Sequence, residues 1–271
     1  MLALESIFPM RRRWDRAVDD VSKVPVDAVS IRLVSGAKNI DKLPSYTRLE
    51  SLWGFDVDAR ALGAICDCAA LESLYLDNIK TGDLSSLERL TGLRVLGLER
   101  CSKLTSLDDV GELESLQGLG ITHFKNVHHL GPLARLKMLR ALAVAGSIWT
   151  TMRVASFQPL QELQALEFLH LTNIKPDDQS LKPLARLTKL KTLEIANFYP
   201  AADFAWLARS LPTTECQWFR PYVEMSNLQC KKCGATSMVM PTGKGTALTC
   251  KDCDGPRLEK KIREWNAASA S

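Results

Sequence analysis

The sequence predicts an α/β solenoid: a curved parallel sheet of about eight to nine repeats, a helical cap at the N-terminus and a small C-terminal domain held by four cysteines. Three observations carry that expectation. A short phrase with apolar first, fourth and sixth positions recurs along most of the chain, and its spacing is nearly constant. Two Cys-x-x-Cys pairs, Cys230/Cys233 and Cys250/Cys253, stand near the end with sixteen residues between them.

The phrase is clearest at Leu71/Leu74/Leu76, Leu93/Leu96/Leu98, Leu116/Leu119/Ile121, Leu139/Leu142/Val144, Leu166/Leu169/Leu171 and Leu190/Leu193/Ile195. Weaker copies lie at Val26/Val29/Ile31, Leu49/Leu52/Gly54 and Thr213/Cys216/Trp218. Start-to-start spacings from residue 26 are 23, 22, 22, 23, 23, 27, 24 and 23. A period in the twenties with an L-x-x-L-x-L core is a repeat signature. The pattern resembles the bacterial leucine-rich repeat family, nearest to its internalin-like members.

Residues 1–25 precede the repeats. Trp14, Val18 and Val21 fall at i, i+4 and i+7, the spacing of one helix face after Pro9. Such a helix would cover the apolar end of the solenoid, since terminal repeats need a cap. Arg11, Arg12 and Arg13 read as a solvated face of that cap rather than a phosphate site.

Residues 26–219 form the repeat domain. Alternation within each strand sends the first, fourth and sixth residues inward and those between them outward. Apolar residues then return every third position, as in Leu84/Leu87/Leu90 and Leu130/Leu133/Leu136, to make a helix or 3₁₀ turn on the convex side. Nine strands about 4.8 Å apart make a sheet on the order of 40 Å long. One feature departs from the family. The ninth position, which there carries asparagine, reads Val57, Ile79, Cys101, Phe124, Ser147, Ile174 and Phe198, so apolar packing replaces an asparagine ladder.

Residues 220–271 differ in kind. Two Cys-x-x-Cys knuckles at this separation are a four-thiolate metal signal, with Gly234 and Gly255 permitting the turns that follow them. Short strands are expected at 236–240 and 246–249 around the 241–245 turn. This part resembles a zinc ribbon over residues 228–255. The resemblance implies one structural Zn2+ on Cys230, Cys233, Cys250 and Cys253, with iron as the rubredoxin-like alternative. Four thiolates leave no open coordination position for catalysis. After Pro256, Leu258, Ile262 and Trp265 mark one face of a helix. Of the other cysteines, Cys68, Cys101 and Cys216 fall at core positions, while Cys66 is expected to face away.

Composition narrows the function. Hydrophobic residues make up 46% and charged residues 24% of the chain, ordinary values for a soluble protein. No apolar run reaches the roughly 18 residues of a membrane span. Met1–Met10 has a short apolar stretch with its basic residues after it, the wrong order for an export signal, which points to the cytoplasm. From Arg220 onward nine Lys/Arg face five Asp/Glu, so the whole net charge of +4 lies there and the first 219 residues are neutral, with 26 of each sign. A neutral solenoid argues against nucleic acid, whose recognition rests on many cationic contacts. No metalloprotease, phosphate-loop or nucleophile-elbow motif is present, so no enzymatic activity is expected.

The expectation is a protein-binding scaffold, monomeric when free, that receives a protein partner on its concave face. The fold-level analogy is to repeat proteins resembling ribonuclease inhibitor, in the manner of an inhibitor or immunity protein against a toxin or enzyme. Trp53, Phe55, Tyr75, Asp77 and Glu99 stand outward at one end of that face. Small residues from Gly97 to Ala145 line its middle, and Phe168 and His170 rise beyond them. The 27-residue unit adds about four residues near 148–153, so Trp149 and Met152 extend the rim, or else Trp149 tucks back into the solenoid. The rival expectation is a nucleic-acid adaptor acting through Lys231, Lys232, Lys244 and Lys251 of the ribbon.

Overall fold

The computed structural model describes residues 17–147 and 149–270. Arg11, Arg12, Arg13 and Trp14 lie outside them. The chain divides into two compact units, 1–189 and 190–271.

In the first unit, β1 (Ala17–Asp20), β2 (Ser30–Lys38), β3 (Ser51–Phe55), β4 (Ser73–Asp77), β5 (Val95–Glu99), β6 (Gly118–Thr122), β7 (Ala141–Ala145) and β9 (Phe168–Thr172) form one parallel sheet in that order. Register follows the phrase. Ser73 to Asp77 pair residue for residue with Val95 to Glu99, and the same match holds from β3 through β9. Leu74, Leu76, Leu96, Leu98, Leu119, Ile121, Leu142, Val144, Leu169 and Leu171 therefore stack behind the sheet, all buried. A one-residue slip would turn every one of them to the opposite face.

The convex side returns by short turns. Five of them, 40–45, 85–89, 131–135, 158–162 and 182–186, are 3₁₀ segments, and α1 (Ala59–Cys66) and α2 (Asp108–Gly111) are brief α-helices. Pro132, Pro159 and Pro183 open three of these turns, where the missing N–H has no partner to lose. Asp58 caps α1 by accepting the Ala61 N–H at 2.8 Å. Leu84, Leu87, Leu90, Leu130, Leu133 and Leu136 are all buried, as their spacing requires. The expected ninth-position ladder is apolar: Val57, Ile79, Cys101, Phe124 and Ile174 are buried.

The eighth position supplies the turn instead. Asp56, Asn78, Arg100, His123 and Asn173 all have φ between 49° and 62°, the left-handed region. There the N–H leaves its own strand and donates to a carbonyl of the following repeat, Asp56 to Asp77 at 2.9 Å and Asn78 to Glu99 at 3.0 Å, with Arg100 to Thr122 and His123 to Ala145 alike. Non-glycine residues there cost about 1–2 kcal/mol each. The bonds to the neighbouring repeat offset that cost.

Two expectations near the start are corrected. Over Val18 and Val21 the cap is not helical: Ala17–Asp20 is a strand paired with β2, and Val21–Lys23 is a 3₁₀ turn. A strand there occupies the hydrogen-bonding edge of β2, which a helix would leave open. Asp20 ends it by accepting from the Ser22 N–H at 3.0 Å. The first phrase also starts late, because Val26 is 70% exposed and Val29 45%, and only from Ile31 do alternate residues enter the core.

The longest repeat carries β8 (Met152–Val154), which pairs in parallel with β10 (Ile174–Pro176) of the next repeat. This second, two-stranded sheet absorbs the insertion.

The second unit begins with β11 (Thr192–Ile195) and α3 (Ala201–Ser210). The last phrase makes one bridge, Thr192 to Glu215, in place of a strand. An antiparallel sheet follows, in which β13 (Met238–Pro241) lies between β12 (Tyr222–Glu224) and β14 (Thr249–Cys250). Helix α4 (Gly255–Ala270) buries Leu258 and Trp265 and packs along α3.

Candidate binding groove and metal site

At the β2 end of the concave face, sheet register brings the outward residues of four strands together. Arg32, Trp53 and Tyr75 are neighbours across β2, β3 and β4, as are Phe55, Asp77 and Glu99 across β3, β4 and β5. The Arg32 guanidinium lies 4.3 Å over the Trp53 ring, and Tyr75 meets that ring edge-on at 5.0 Å. Both geometries are favourable for a quadrupolar indole. Arg100 reaches back from its left-handed turn to Asp77, with contacts of 2.7 and 2.5 Å, and stands 5.6 Å over Phe55. The Tyr75 hydroxyl donates to Glu99. Burial, and then that carboxylate, push the Tyr75 phenol above its ordinary value. His123 Nδ1 lies 3.9 Å from the other oxygen of Glu99.

Exposure differs from the sequence-based expectation. Trp53 is 3% exposed, and Tyr75, Asp77 and Phe168 are also buried. For Trp53 the reason is visible in the cation above its ring and the phenol at its edge. Asp77 is paired with Arg100, the partner that a buried carboxylate requires. Phe55, Glu99 and His170 are half-buried. His170 Nε2 is 2.7 Å from the Thr172 hydroxyl.

A cavity of 370 Å3 opens here, lined by Arg32, Leu33, Val34, Ser35, Trp53, Phe55 and Asp77. Beside it Asp56 accepts from Ser35 at 2.5 Å and from Asn78, with Lys80 at 3.6 Å. The Ser35 hydroxyl, opposed by some desolvation and helped by Asn78, holds the Asp56 carboxyl below its ordinary range.

Trp149 projects into solvent, 89% exposed, whereas Met152, expected to extend the rim with it, is buried in β8. The Trp149 loop is nevertheless fixed. The Ser147 hydroxyl accepts from the N–H groups of Trp149 (3.1 Å) and Thr150 (2.8 Å), and Asn173 donates to the Ser147 carbonyl at 3.0 Å. Gly146 is required at the loop base, since a Cβ would lie 2.2 Å from the Asn173 carbonyl oxygen and 2.5 Å from that of Thr150. Sequence reasoning did not single out Gly146; its place at the start of the long repeat was the available signal. A smaller cavity of 200 Å3 lies alongside, among His123, Lys125, Gly146, Ser147, Thr150 and Met152.

In the second unit the four expected ligands converge. The sulfurs of Cys230, Cys233, Cys250 and Cys253 all lie within 4.8 Å of one another. The separations Cys230–Cys253 and Cys233–Cys250 are 3.8 and 3.7 Å. A tetrahedron with metal–sulfur bonds of about 2.3 Å has an edge of about 3.8 Å, so these spacings fit one four-coordinate ion. The knuckles are built by backbone: Gly234 N–H donates to the Cys230 carbonyl at 2.8 Å and Asp254 N–H to that of Cys250 at 2.9 Å, with Gly234 at φ 74°. The Cys253 amide and the Ser237 hydroxyl bring the Cys250 thiol down to about 6, while the hydrogen bond with Cys233 pushes the Cys253 thiol up to about 12.

The remaining thiols are core residues. Cys66, expected to face outward, is buried in α1 beside Cys68. Cys66 ends the eight-residue helix on its buried face, with Ala61, Leu62 and Ile65. Burial raises the Cys66 and Cys68 thiols to about 12 and Cys216 to about 11.

No protein-family model matches the sequence, and no curated protein matches it. Solved structures do. An internalin of Listeria monocytogenes aligns at 22% identity with a TM-score of 0.51, covering 67% of this chain and 50% of its own. A leucine-rich repeat protein of Leptospira interrogans aligns at 18% identity with a TM-score of 0.55, covering 74% and 51%. The repeats have the leucine-rich repeat fold. The chain spans about half the length of these two repeat proteins. The leucine-rich repeat accounts for the parallel sheet and the stacked leucines; the four-cysteine cluster is consistent with a zinc ribbon.

Proposed function

We propose that this chain is a non-enzymatic scaffold that holds a protein partner at the β2 end of its concave face, and that it acts as an inhibitor or immunity protein against a toxin or enzyme. The observation that carries the reading is the 370 Å3 cavity, where the half-buried Phe55 presents apolar surface between the charged groups of Arg32 and Asp77, with Trp53 also in the lining. A cavity of that size with a few convergent polar groups suits an inserted side chain, and Trp, Tyr and Arg dominate interface hot spots. Glu99 offers an acceptor beside it, Trp149 and His170 give further contacts along the rim and face, and the buried Asp77 and Phe168 shape the face from beneath. The buried Thr122 hydroxyl, which has no hydrogen-bond partner among the described residues, is one more polar group on that face. The proposed setting is the cytoplasm, consistent with eight free cysteines. The free chain is proposed to be a monomer.

One structural Zn2+ on Cys230, Cys233, Cys250 and Cys253 completes the reading, zinc being favoured over iron as the usual ion of such ribbons. The nucleic-acid alternative is disfavoured because two ribbon cations are already neutralised, Lys232 by Asp254 at 3.6 Å and Lys251 by Glu224 at 2.5 Å.

The test compares proteins captured by the wild-type chain with those captured by Phe55→Ala, Trp149→Ala and the neutral control Gly131→Ala, using quantitative mass spectrometry. A specific partner should be retained by the control and depleted about tenfold or more by Phe55→Ala. Equal recovery on all four chains would sink the groove as a binding site.

A further inference from the structure

Asn197 holds the eighth position of the phrase that begins at Leu190. At this position in earlier repeats, the backbone N–H of Asp56, Asn78, Arg100 and His123 bonds to a carbonyl of the repeat that follows. At Asn197 it is the side chain that bonds, and its partners lie in the ribbon. Its carboxamide accepts from the Gly243 N–H at 2.7 Å and donates to the Pro241 carbonyl at 3.2 Å, so both ends of the amide are used.

The surrounding bonds repeat the pattern. Lys244 N–H donates to the Tyr199 carbonyl at 2.8 Å, and the Thr242 hydroxyl to the Arg220 carbonyl at 2.6 Å. Gly243, at φ 116°, sits where a Cβ would be 3.0 Å from the Ala201 backbone nitrogen. Only glycine allows both that conformation and that approach. The 241–246 turn is thus bonded to residues 197, 199 and 220 and packs on Ala201.

What holds the turn in position is weak by itself. Of the two strands that flank it, β14 has only two residues, and it ends on Cys250, which pairs with Met238 of β13. A two-stranded hairpin this short is marginal alone. A metal shared between Cys250/Cys253 and Cys230/Cys233 would close the far end of both strands.

We infer that metal binding at the four cysteines and folding of the last repeat, residues 190–219, form a single equilibrium, joined through the Asn197 carboxamide and the 241–246 turn. By linkage, whatever weakens the Asn197 clamp weakens metal binding by the same factor, and the reverse. Asn197 is a positioning residue. It lies on the repeat, and its carboxamide bonds to Pro241 and Gly243 rather than to a ligand cysteine.

The experiment is amide hydrogen exchange on the full chain, metal-loaded and after chelation. On chelation Leu193, Leu211 and Thr214, each backbone-bonded within 190–219, should lose protection together with the ribbon amides, while residues 60–180 keep theirs. Continued protection of 190–219 with only the ribbon opened would overturn the inference. A second measurement uses competition with a chromophoric chelator: Asn197→Ala should bind metal about 5–150-fold more weakly than wild type, whereas Asn126→Ala should match wild type. An Asn197→Ala chain with wild-type metal affinity would also overturn it. Should that variant fail to fold, exchange in the wild-type chain decides alone.

Discussion

Replacing Gly146 by alanine tests the account of how the Trp149 loop is fixed. The new methyl would lie 2.2 Å from the Asn173 carbonyl oxygen, 2.5 Å from that of Thr150 and 2.8 Å from the Met152 nitrogen. All three are backbone atoms, so no side-chain rotation relieves the contact. Overpacking that forces backbone shifts costs about 1–3 kcal/mol, and three simultaneous contacts put this site at about 3 kcal/mol. For a protein of this size that lowers Tm by about 6–12 °C. Gly131→Ala is the matched control, because nothing lies within 4 Å of its Cβ. It is expected to be neutral or slightly stabilising. Urea and thermal unfolding of both variants give the comparison. Equal stability of Gly146→Ala and Gly131→Ala would refute the claim that close backbone approach demands glycine at the loop base.

Other outcomes follow from single residues. Trp149→Ala should change stability by no more than about 0.5 kcal/mol in the same unfolding assay, since an exposed side chain contributes little to the fold. A larger loss would mean that the indole packs on the protein. Cys66 and Cys68, raised to about 12, carry a thiolate fraction of about one in ten thousand at pH 8. Iodoacetamide should leave both unlabelled in the native chain and label both in denaturant, as read by peptide mass spectrometry. Acid should act through Asp20, whose carboxyl is held at about 2, chiefly by Asn39 and Ser22, against 3.8 unperturbed. Its folded pKa is depressed, so its contribution is complete above about pH 4 and is lost as pH falls toward 2. Asp20→Asn should flatten the fall in unfolding midpoint across that window, and an unchanged slope would exclude Asp20.

The sheet and its register were readable because a period of two in each strand leaves the leucines no other face to share. The same logic located the four metal ligands, since Cys-x-x-Cys closes its own knuckle locally. Burial on the concave face was not readable. Alternation places Arg32, Trp53 and Tyr75 outward in three neighbouring strands, but whether such side chains reach for solvent or fold onto each other depends on cross-strand geometry. Here the cation settles over the indole and the phenol turns edge-on. The edge strand at Ala17–Asp20 was hidden for a different reason, because four residues are too few to distinguish a period of 2 from one of 3.6. Cys66 was misplaced because a convex-side turn leaves open which face a thiol takes, and the helix that Asp58 caps turns it inward.

The pairing of β8 with β10 bears on how such a chain changes length in evolution. Repeat proteins commonly gain and lose units one at a time by unequal recombination, because each unit meets only its neighbours. Residues 139–165 and 166–189 share a private two-stranded sheet, an Arg153–Asp177 ion pair at 2.5 Å and the Asn173 bond to Ser147. Excising either one strands the other's extra backbone without a partner. These two units should therefore be inherited, duplicated or deleted as a couple, while the shorter units beside them remain exchangeable one by one.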